Sequence, residues 1–208
     1  NEHKVALVPS GGRTGLSGAA VASNGEVVVA FDRMNKVVEF DAASRSVTVQ
    51  PGVVTQTLQE FADSKGLFYP VDFASAGSSQ IGGNLGTNAG GIKVIRYGMT
   101  RDQVTGLQVV TGKGEVLELN QGLIKNATGY DLRHLFIGAE GTLGFITEAT
   151  IKLARQPQNL TVLVLACPGF AEIMAVLKAF QDQVDLTAFE FFSDLAMNHV
   201  LAHGVPKP

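Results

Sequence analysis

The sequence predicts an α+β protein, and three observations carry that reading. Short apolar runs at strand spacing fill roughly the first 155 residues, broken by a single long amphipathic helix pattern. Glycine is gathered into three dense windows. At Arg155–Asn159 the texture changes: glycine becomes rare, and strand and helix signals begin to alternate. A chain of 208 residues has room for one large domain, or for one domain and part of another.

Taken in order, 26–31 (Glu-Val-Val-Val-Ala-Phe) predicts a buried strand, and Val37–Phe40 and Ser46–Gln50 predict two short strands joined by a turn at Asp41–Ser44. Pro51-Gly52 ends that run. A helix follows, with Thr55 as its N-cap, Leu58, Phe61 and Ala62 on its apolar face and Gly66 just past its end. Residues 70–98 show little periodicity and predict a long functional loop. Leu107–Thr111 and Glu115–Leu119 flank Gly112-Lys113-Gly114 and predict a hairpin. Tyr130–Phe136 predicts one or two helical turns, and Leu143–Leu153 a strand. Beyond Pro157, Leu160–Cys167 predicts a strand and Phe170–Gln183 a helix with Ile173, Val176, Leu177 and Phe180 on one face. Leu186–Phe192 predicts another strand, and Asp194–His203 a helix capped by Ser193 or Asp194. About 50 residues are too few to bury a good core alone. The domains expected are therefore 1–158 and 159–208, the second being the beginning of a unit cut short.

Composition removes several function classes. Hydrophobic residues are 45% of the chain, which excludes global disorder. Apolar runs such as Val162–Cys167 are far shorter than the roughly 20 residues of a membrane span. Sixteen Lys and Arg stand against 19 Asp and Glu, so no basic field exists to attract nucleic acid. The lone cysteine, Cys167, forms no internal disulfide and fits a reducing compartment. No secretory leader pattern opens the sequence, so the sequon at Asn126 is read as chance.

Neither G-x-G-x-x-G nor G-x-x-x-x-G-K-[ST] occurs in the glycine windows, and G-x-S-x-G is also missing. His199 and His203 are spaced to share one helix face, but no carboxylate or cysteine partner is near, and a helix end that favours positive charge accounts for both. No metal site is assigned. Cys167 reads as a small apolar residue.

Fourteen of the 24 glycines fall in Gly11–Gly18, Gly77–Gly98 and Gly138–Gly144. In the first window, consecutive small residues free backbone N–H groups to converge on an anion, with hydroxyls from Thr14 and Ser17 and a charge from Arg13. The second window, Ser75 to Gly91, is almost uncharged and suits a flat heterocycle with polar edges. The third opens a strand, where backbone can approach a ligand edge-on.

Five motifs in this order resemble one family. They are Pro9-x-Gly-Gly-x-Thr-Gly-Leu-Ser-Gly18, Ile81-Gly-Gly-Asn-x-x-Thr-Asn-Ala-Gly-Gly91, Tyr97-Gly-x-Thr-Arg-Asp102, Lys125-Asn-x-x-Gly-Tyr-Asp-Leu132 and Gly138-x-Glu-Gly-Thr-Leu-Gly-x-Ile-Thr147. Together they resemble the FAD-linked oxidases, the vanillyl-alcohol-oxidase or p-cresol-methylhydroxylase flavoprotein superfamily. Within it the likeness is to the D-lactate, glycolate and D-2-hydroxyglutarate dehydrogenase branch. It spans roughly residues 5–155.

The resemblance implies a p-cresol-methylhydroxylase-type FAD-binding domain over 1–158, lacking its N-terminal strand–helix unit, and the start of a truncated α+β substrate or cap domain over 159–208. Pro9, Gly11, Gly12, Arg13, Thr14, Gly15, Leu16 and Ser17 would form the pyrophosphate loop. Pro70, Ser75, Gly77 and Ser78 would line the ribityl and flavin region. Gly82, Gly83, Asn84, Thr87, Asn88, Gly90 and Gly91 would wrap the isoalloxazine and diphosphate, while Glu140, Gly141, Gly144 and, through its backbone, Ile146 would reach the adenosine end. No histidine stands in the pyrophosphate loop or in 70–98, so FAD is expected to be non-covalent.

The reaction implied is oxidation of a 2-hydroxy acid by hydride transfer to flavin N5, in a full-length enzyme of which this chain, inactive on its own, is a fragment. The electron acceptor stays open between oxygen, a quinone and a carrier protein, and no catalytic residue is assigned. Glu190 is the one acidic candidate on a second-domain strand, with a structural ion pair as its expected role. A divalent metal would be held only by the family's missing C-terminal part. A homodimer, and a cytoplasmic location with or without peripheral attachment to the inner membrane, are compatible with this reading. The rival readings are a non-catalytic FAD-binding subunit and a nucleotide-binding module of a larger complex.

Overall fold

The computed structural model describes residues 3–206. Its elements in chain order are β1 (Leu7–Ser10), β2 (Val27–Ala30), β3 (Val37–Asp41), β4 (Ser46–Val49), α1 (Thr55–Ser64), β5 (Leu67–Phe68), α2 (Ile81–Thr87), α3 (Val94–Tyr97) and α4 (Thr100–Gln103). They continue with β6 (Val104–Thr111), β7 (Val116–Leu119), α5 (Arg133–Phe136), β8 (Gly144–Lys152), β9 (Ala154–Arg155), α6 (Phe170–Gln183) and α7 (Asp194–Ala202). Mixed helices and strands of this kind bear out the α+β class.

The centre is an antiparallel five-stranded sheet in the order β3-β4-β8-β6-β7. Alternation in β4 buries Val47 and Val49 completely and turns Ser46 and Thr48 the other way. In β8 the alternation breaks. Gln108 faces Glu148 but Val109 faces Ile146, which leaves Thr147 as an extra residue. The bulge lets Ile146 and Ala149, three apart, both enter the core. The Thr147 hydroxyl is anchored there, within 2.7 Å of Gln108 Oε1.

Helix α1 covers this sheet with Leu58 and Ala62, both fully buried. It runs where expected, but Val54 is the N-cap and Thr55 is the first helical residue. Thr55 is buried, and its hydroxyl points across to Ser79 instead of capping its own helix. Gly66 follows the C-cap with φ +68° and ends the helix as expected.

Several expectations are corrected. Residues 70–98 are not a structureless loop: they fold into a turn at 74–78, α2 and α3. The strand at 27–30 forms but is not buried. It pairs only with β1, in parallel, and Val27 and Val28 remain half exposed. Leu160–Cys167 and Leu186–Phe192 form no strand, because no strand among the described residues pairs with them. Apolar composition alone does not make a strand; a partner must take its hydrogen bonds. After Leu153 no described residue is buried. The α6 face is nevertheless the one expected: Ile173, Val176, Leu177 and Phe180 are its four half-buried apolar residues. Ser193 caps α7 by accepting from Ala196 N. Arg96 ties this part to the rest through an ion pair with Asp185. Glu190 is exposed and makes no ion pair among the described residues, contrary to the role expected of it. No helix among the described residues is long and apolar enough to cross a membrane.

One core residue carries a test. Tyr69 is 1% exposed and its hydroxyl has no partner among the described residues. Burial also pushes that hydroxyl's pKa well above the ordinary phenol value. An orphaned buried hydroxyl costs about 1–3 kcal/mol. Tyr69→Phe is therefore expected to leave the melting temperature unchanged or raise it. A fall of several degrees would mean that the hydroxyl has a partner after all.

Candidate functional site: a cleft shared by three glycine-rich segments

Three segments far apart in sequence meet through glycines. A Cβ on Gly12 would lie 2.1 Å from Ser78 O, and one on Gly141 would lie 2.2 Å from Pro9 Cγ. Only hydrogen at these positions permits such approach. The third segment is also hydrogen-bonded to α2: Gly138 N donates to Leu85 O at 2.9 Å and Glu140 N to Gly86 O at 2.8 Å. The loop after β1, the 75–89 segment and the loop before β8 thus form one body.

Between them lies a cleft of about 830 Å³, within the usual size of a small-molecule site. Part of its lining is backbone. None of the N–H groups from Gly11 through Ser17 donates to a protein acceptor among the described residues. The Gly83 N–H is likewise uncommitted, whereas those of Ile81 and Gly82 bond back to Val53 O and Pro51 O. A run of successive free N–H groups in a turn suits an anion. Among the described residues, Arg13 and Glu140 are the only charged ones that line the cleft.

Another part is apolar. Phe31, Phe73, Phe136, Phe145 and Ile146 line it, with Phe31 and Phe145 edge to face at 5.9 Å. Asn84, which is buried but reaches the lining, donates to Thr55 Oγ1 at 2.7 Å, and that hydroxyl also meets Ser79 Oγ at 2.7 Å. This polar network is satisfied and holds α1, α2 and the 75–79 turn at fixed spacing.

The expected cofactor residues fall into two groups. Pro9, Gly11 to Ser17, Ser75, Gly82, Gly83, Asn84, Thr87, Glu140, Gly141, Gly144 and Ile146 line the cleft. Pro70, Gly77, Ser78, Asn88, Gly90 and Gly91 do not. Asn88 adopts a left-handed conformation at the end of α2, and its Oδ1 accepts from Arg101 N at 3.0 Å. Gly91 packs against Asp72 O, where a Cβ would be 2.3 Å away. Ser78 serves through its backbone, as the surface that Gly12 approaches. Gln80, Gly86 and the aromatic rings line the cleft without having been expected. Phe145 and Gly86 occupy variable positions inside the motifs, and Phe31 and Gln80 lie outside them, so no spacing signal marks any of these four.

A second recess of about 190 Å³ shares no lining residue with the cleft. It holds much of the Lys125–Leu132 motif, including Tyr130 and Asp131. Arg133 donates to the Asp131 carboxyl and holds it below the usual carboxylate range. His203 Nδ1 lies 2.8 Å from His199 O, a helix-end contact.

The cleft fits a dinucleotide with an aromatic ring system: free amides suit a diphosphate, and aromatic and aliphatic side chains suit a flat ring. Gly15 and Gly83 have no atom within 4 Å where a side chain would stand, so ligand can approach the backbone there.

Comparison with known proteins gives the same picture. A family model described as "FAD binding domain" matches residues 1–120. The chain is 73% identical over 209 residues to a D-2-hydroxyglutarate dehydrogenase of Stutzerimonas stutzeri, covering 100% of this chain and 45% of that protein. It is 38% identical to the glycolate oxidase subunit GlcD of Bacillus subtilis, covering 95% of this chain and 44% of that one. Among solved structures, an alkyldihydroxyacetonephosphate synthase superposes with a TM-score of 0.72 at 30% identity, over 87% of this chain and 33% of its own. The chain therefore spans under half the length of both of these curated relatives.

Proposed function

Because the chain belongs to the FAD binding domain family, we propose that it is the cofactor-holding part of a FAD-dependent oxidoreductase that oxidises a 2-hydroxy acid of the D-2-hydroxyglutarate, glycolate or D-lactate type. The observation that carries this reading is the convergence of three glycine-rich segments on one cleft, whose lining combines free N–H groups with aromatic rings. Relatives named for 2-hydroxy acid oxidation support the substrate class.

N–H groups of the Gly11–Ser17 loop, with Arg13, hold the diphosphate. Phe31, Phe145 and Ile146 give apolar cover to a ring and exclude water from it. Bound flavin supplies the hydride acceptor. Among the described residues no histidine, cysteine or tyrosine lines the cleft, which supports a dissociable cofactor. Residues 159–208 are read as the start of the substrate domain, which brings the hydroxy acid to the cofactor together with chain beyond this sequence.

The direct test is acid precipitation of the purified protein followed by mass identification of what stays in solution. FAD is expected there. FAD retained in the pellet would overturn the dissociable cofactor, and another nucleotide would overturn the FAD assignment. A panel of D- and L-2-hydroxy acids offered to the full-length protein then tests the reaction. FAD bound without oxidation of any of them would favour a non-catalytic flavin subunit.

Gly83 offers a sharper test, because two effects there have opposite signs. It lies within α2 with free space at its Cβ position. Gly83→Ala should stabilise the ligand-free chain by about 0.5–1 kcal/mol through helix propensity. The same methyl would occupy the cleft floor. Thermal melts should rise without FAD, while FAD affinity falls. A rise in both would mean that no ligand touches this position.

A further inference from the structure

One buried polar atom beside the cleft is left without a partner. Gln80 is 7% exposed, lines the cleft and precedes α2, where Asn84 N bonds to its carbonyl at 3.0 Å. Its side-chain Nε2 donates to Asp32 Oδ1 at 2.9 Å. Its Oε1 is buried and accepts from nothing among the described residues. That oxygen lies 3.3 Å from where a Cβ on Gly11 would stand. A carboxylate accepts hydrogen bonds and cannot donate them, so Asp32 fixes the orientation of the amide. The nitrogen faces Asp32 and the oxygen faces the Gly11 loop.

A buried acceptor therefore stands behind a loop whose N–H groups have no acceptor. The two needs are complementary, and they are adjacent without being joined. Leaving Oε1 unpaired opposes folding, whereas pairing it with a loop N–H removes that cost. An anion in the loop draws N–H groups inward and narrows the backbone conformations available to Gly11 and Gly12.

We propose that Gln80 is the positioning residue of the anion-binding loop: its Asp32-oriented amide oxygen accepts an N–H of the Gly11–Gly12 turn when a nucleotide diphosphate occupies the loop. Gln80 acts through the loop and does not itself touch phosphate, which its partial negative charge would repel. The inference rests on the reading that the cleft takes FAD, but it concerns the loop's own donors and applies to any diphosphate held there.

The test compares wild type with Gln80→Met, which keeps the volume and removes the acceptor. Three quantities are read: the melting temperature without ligand, FAD affinity, and amide exchange of residues 11–17 with and without FAD. Gln80→Met is expected to melt close to wild type, because it deletes the unpaired oxygen together with the bond from Nε2 to Asp32, and the two changes oppose one another. It should bind FAD about tenfold more weakly, the worth of one hydrogen bond. It should also lose the FAD-induced protection of one amide of the Gly11–Gly12 turn, while the loop amides that face the diphosphate stay protected. Unchanged affinity, or protection equal to wild type, would overturn the proposal.

Asp32→Lys separates orientation from charge. Simple electrostatics predicts that a new cation beside the loop tightens binding of an anion. The proposal predicts weaker binding, because the lysine draws Oε1 toward itself and turns the amide nitrogen to the loop; tighter binding would count against it. Inorganic pyrophosphate serves as a second probe. If wild type protects its loop with pyrophosphate in a Gln80-dependent manner but does not bind FAD, this inference stands and the FAD reading falls. If FAD binds and Gln80→Met behaves as wild type, the reverse holds.

Discussion

Gly12→Ala is expected to weaken FAD binding by about 100-fold or more while the five-stranded sheet stays folded. Its new methyl would stand 2.1 Å from Ser78 O and 2.8 Å from Ser79 Cα, so it meets backbone and not a flexible side chain. That backbone has little room to yield. Ser78 N and Ser79 N both bond to Ser75 O, and Thr55 N bonds to Ser79 O at 2.9 Å. Restoring an ordinary contact of 3.4 Å requires a displacement of roughly 1.3 Å, which the loop must supply. Overpacking of this kind costs about 1–3 kcal/mol, which the domain can survive. Losing alignment of two charge-assisted bonds at about 1.5–3 kcal/mol each weakens binding by about 100-fold or more. Circular dichroism should report an intact sheet, and flavin fluorescence titration should report the loss. Wild-type affinity in this variant would mean that the loop does not hold the cofactor.

Gly141→Ala is expected to be the most destabilising single methyl addition in the third segment. Gly141 has φ +77°, a conformation that costs an alanine about 1–2 kcal/mol. Its Cβ would also fall 2.2 Å from Pro9 Cγ. A proline ring has no rotamer by which to swing away, so β1 itself must move. The two costs together suggest a fall in melting temperature of roughly 10 °C. Gly15→Ala is the control: nothing lies within 4 Å of its Cβ position, and the melt should not change. Equal melts for wild type and Gly141→Ala would show that the Pro9 contact does not constrain the fold.

These positions also show what the sequence discloses and what it hides. Helix α6 is legible because Ile173, Val176, Leu177 and Phe180 recur at helical spacing, and those residues do turn inward. The β6–β7 hairpin is legible because alternation flanks a glycine turn. Helix α2 is not legible. Gly82, Gly83 and Gly86 each lower helix propensity by about 1 kcal/mol relative to alanine, and local preference alone rejects it. It forms because tertiary contacts require small residues: a Cβ on Gly82 would meet Pro51 Cβ at 2.5 Å. Strand β1 hides for a similar reason. Pro9 suggests a loop, yet it is tolerated because β1 pairs on one side only. The apolar run Leu160–Leu165 misleads in the other direction, since composition reports hydrophobicity and not the presence of a partner.

The candidate site divides in the same way. Its backbone lining is visible as glycine clusters, since chemistry done by N–H groups leaves a mark in residue size. The aromatic lining consists of single residues, Phe31, Phe73, Phe136 and Phe145, drawn from different segments. Only folding assembles them. Gln80 shows the limit most clearly, because its importance lies in an oxygen that lacks a donor, and sequence does not record that.

The placement of β8 between β4 and β6 has a consequence for biosynthesis. Thr48 and Thr150, whose hydroxyls meet at 3.1 Å, are 102 residues apart. A ribosome adding about 5–20 residues per second releases β4 roughly 5–20 s before its neighbour exists. Until then Val47 and Val49 lack the strand that covers one edge of theirs. Contacts at such separation also slow closure of the sheet. The nascent chain must therefore wait, with a sticky ribbon in the open, for its last central strand to leave the exit tunnel, and holdase chaperones have their window in that interval.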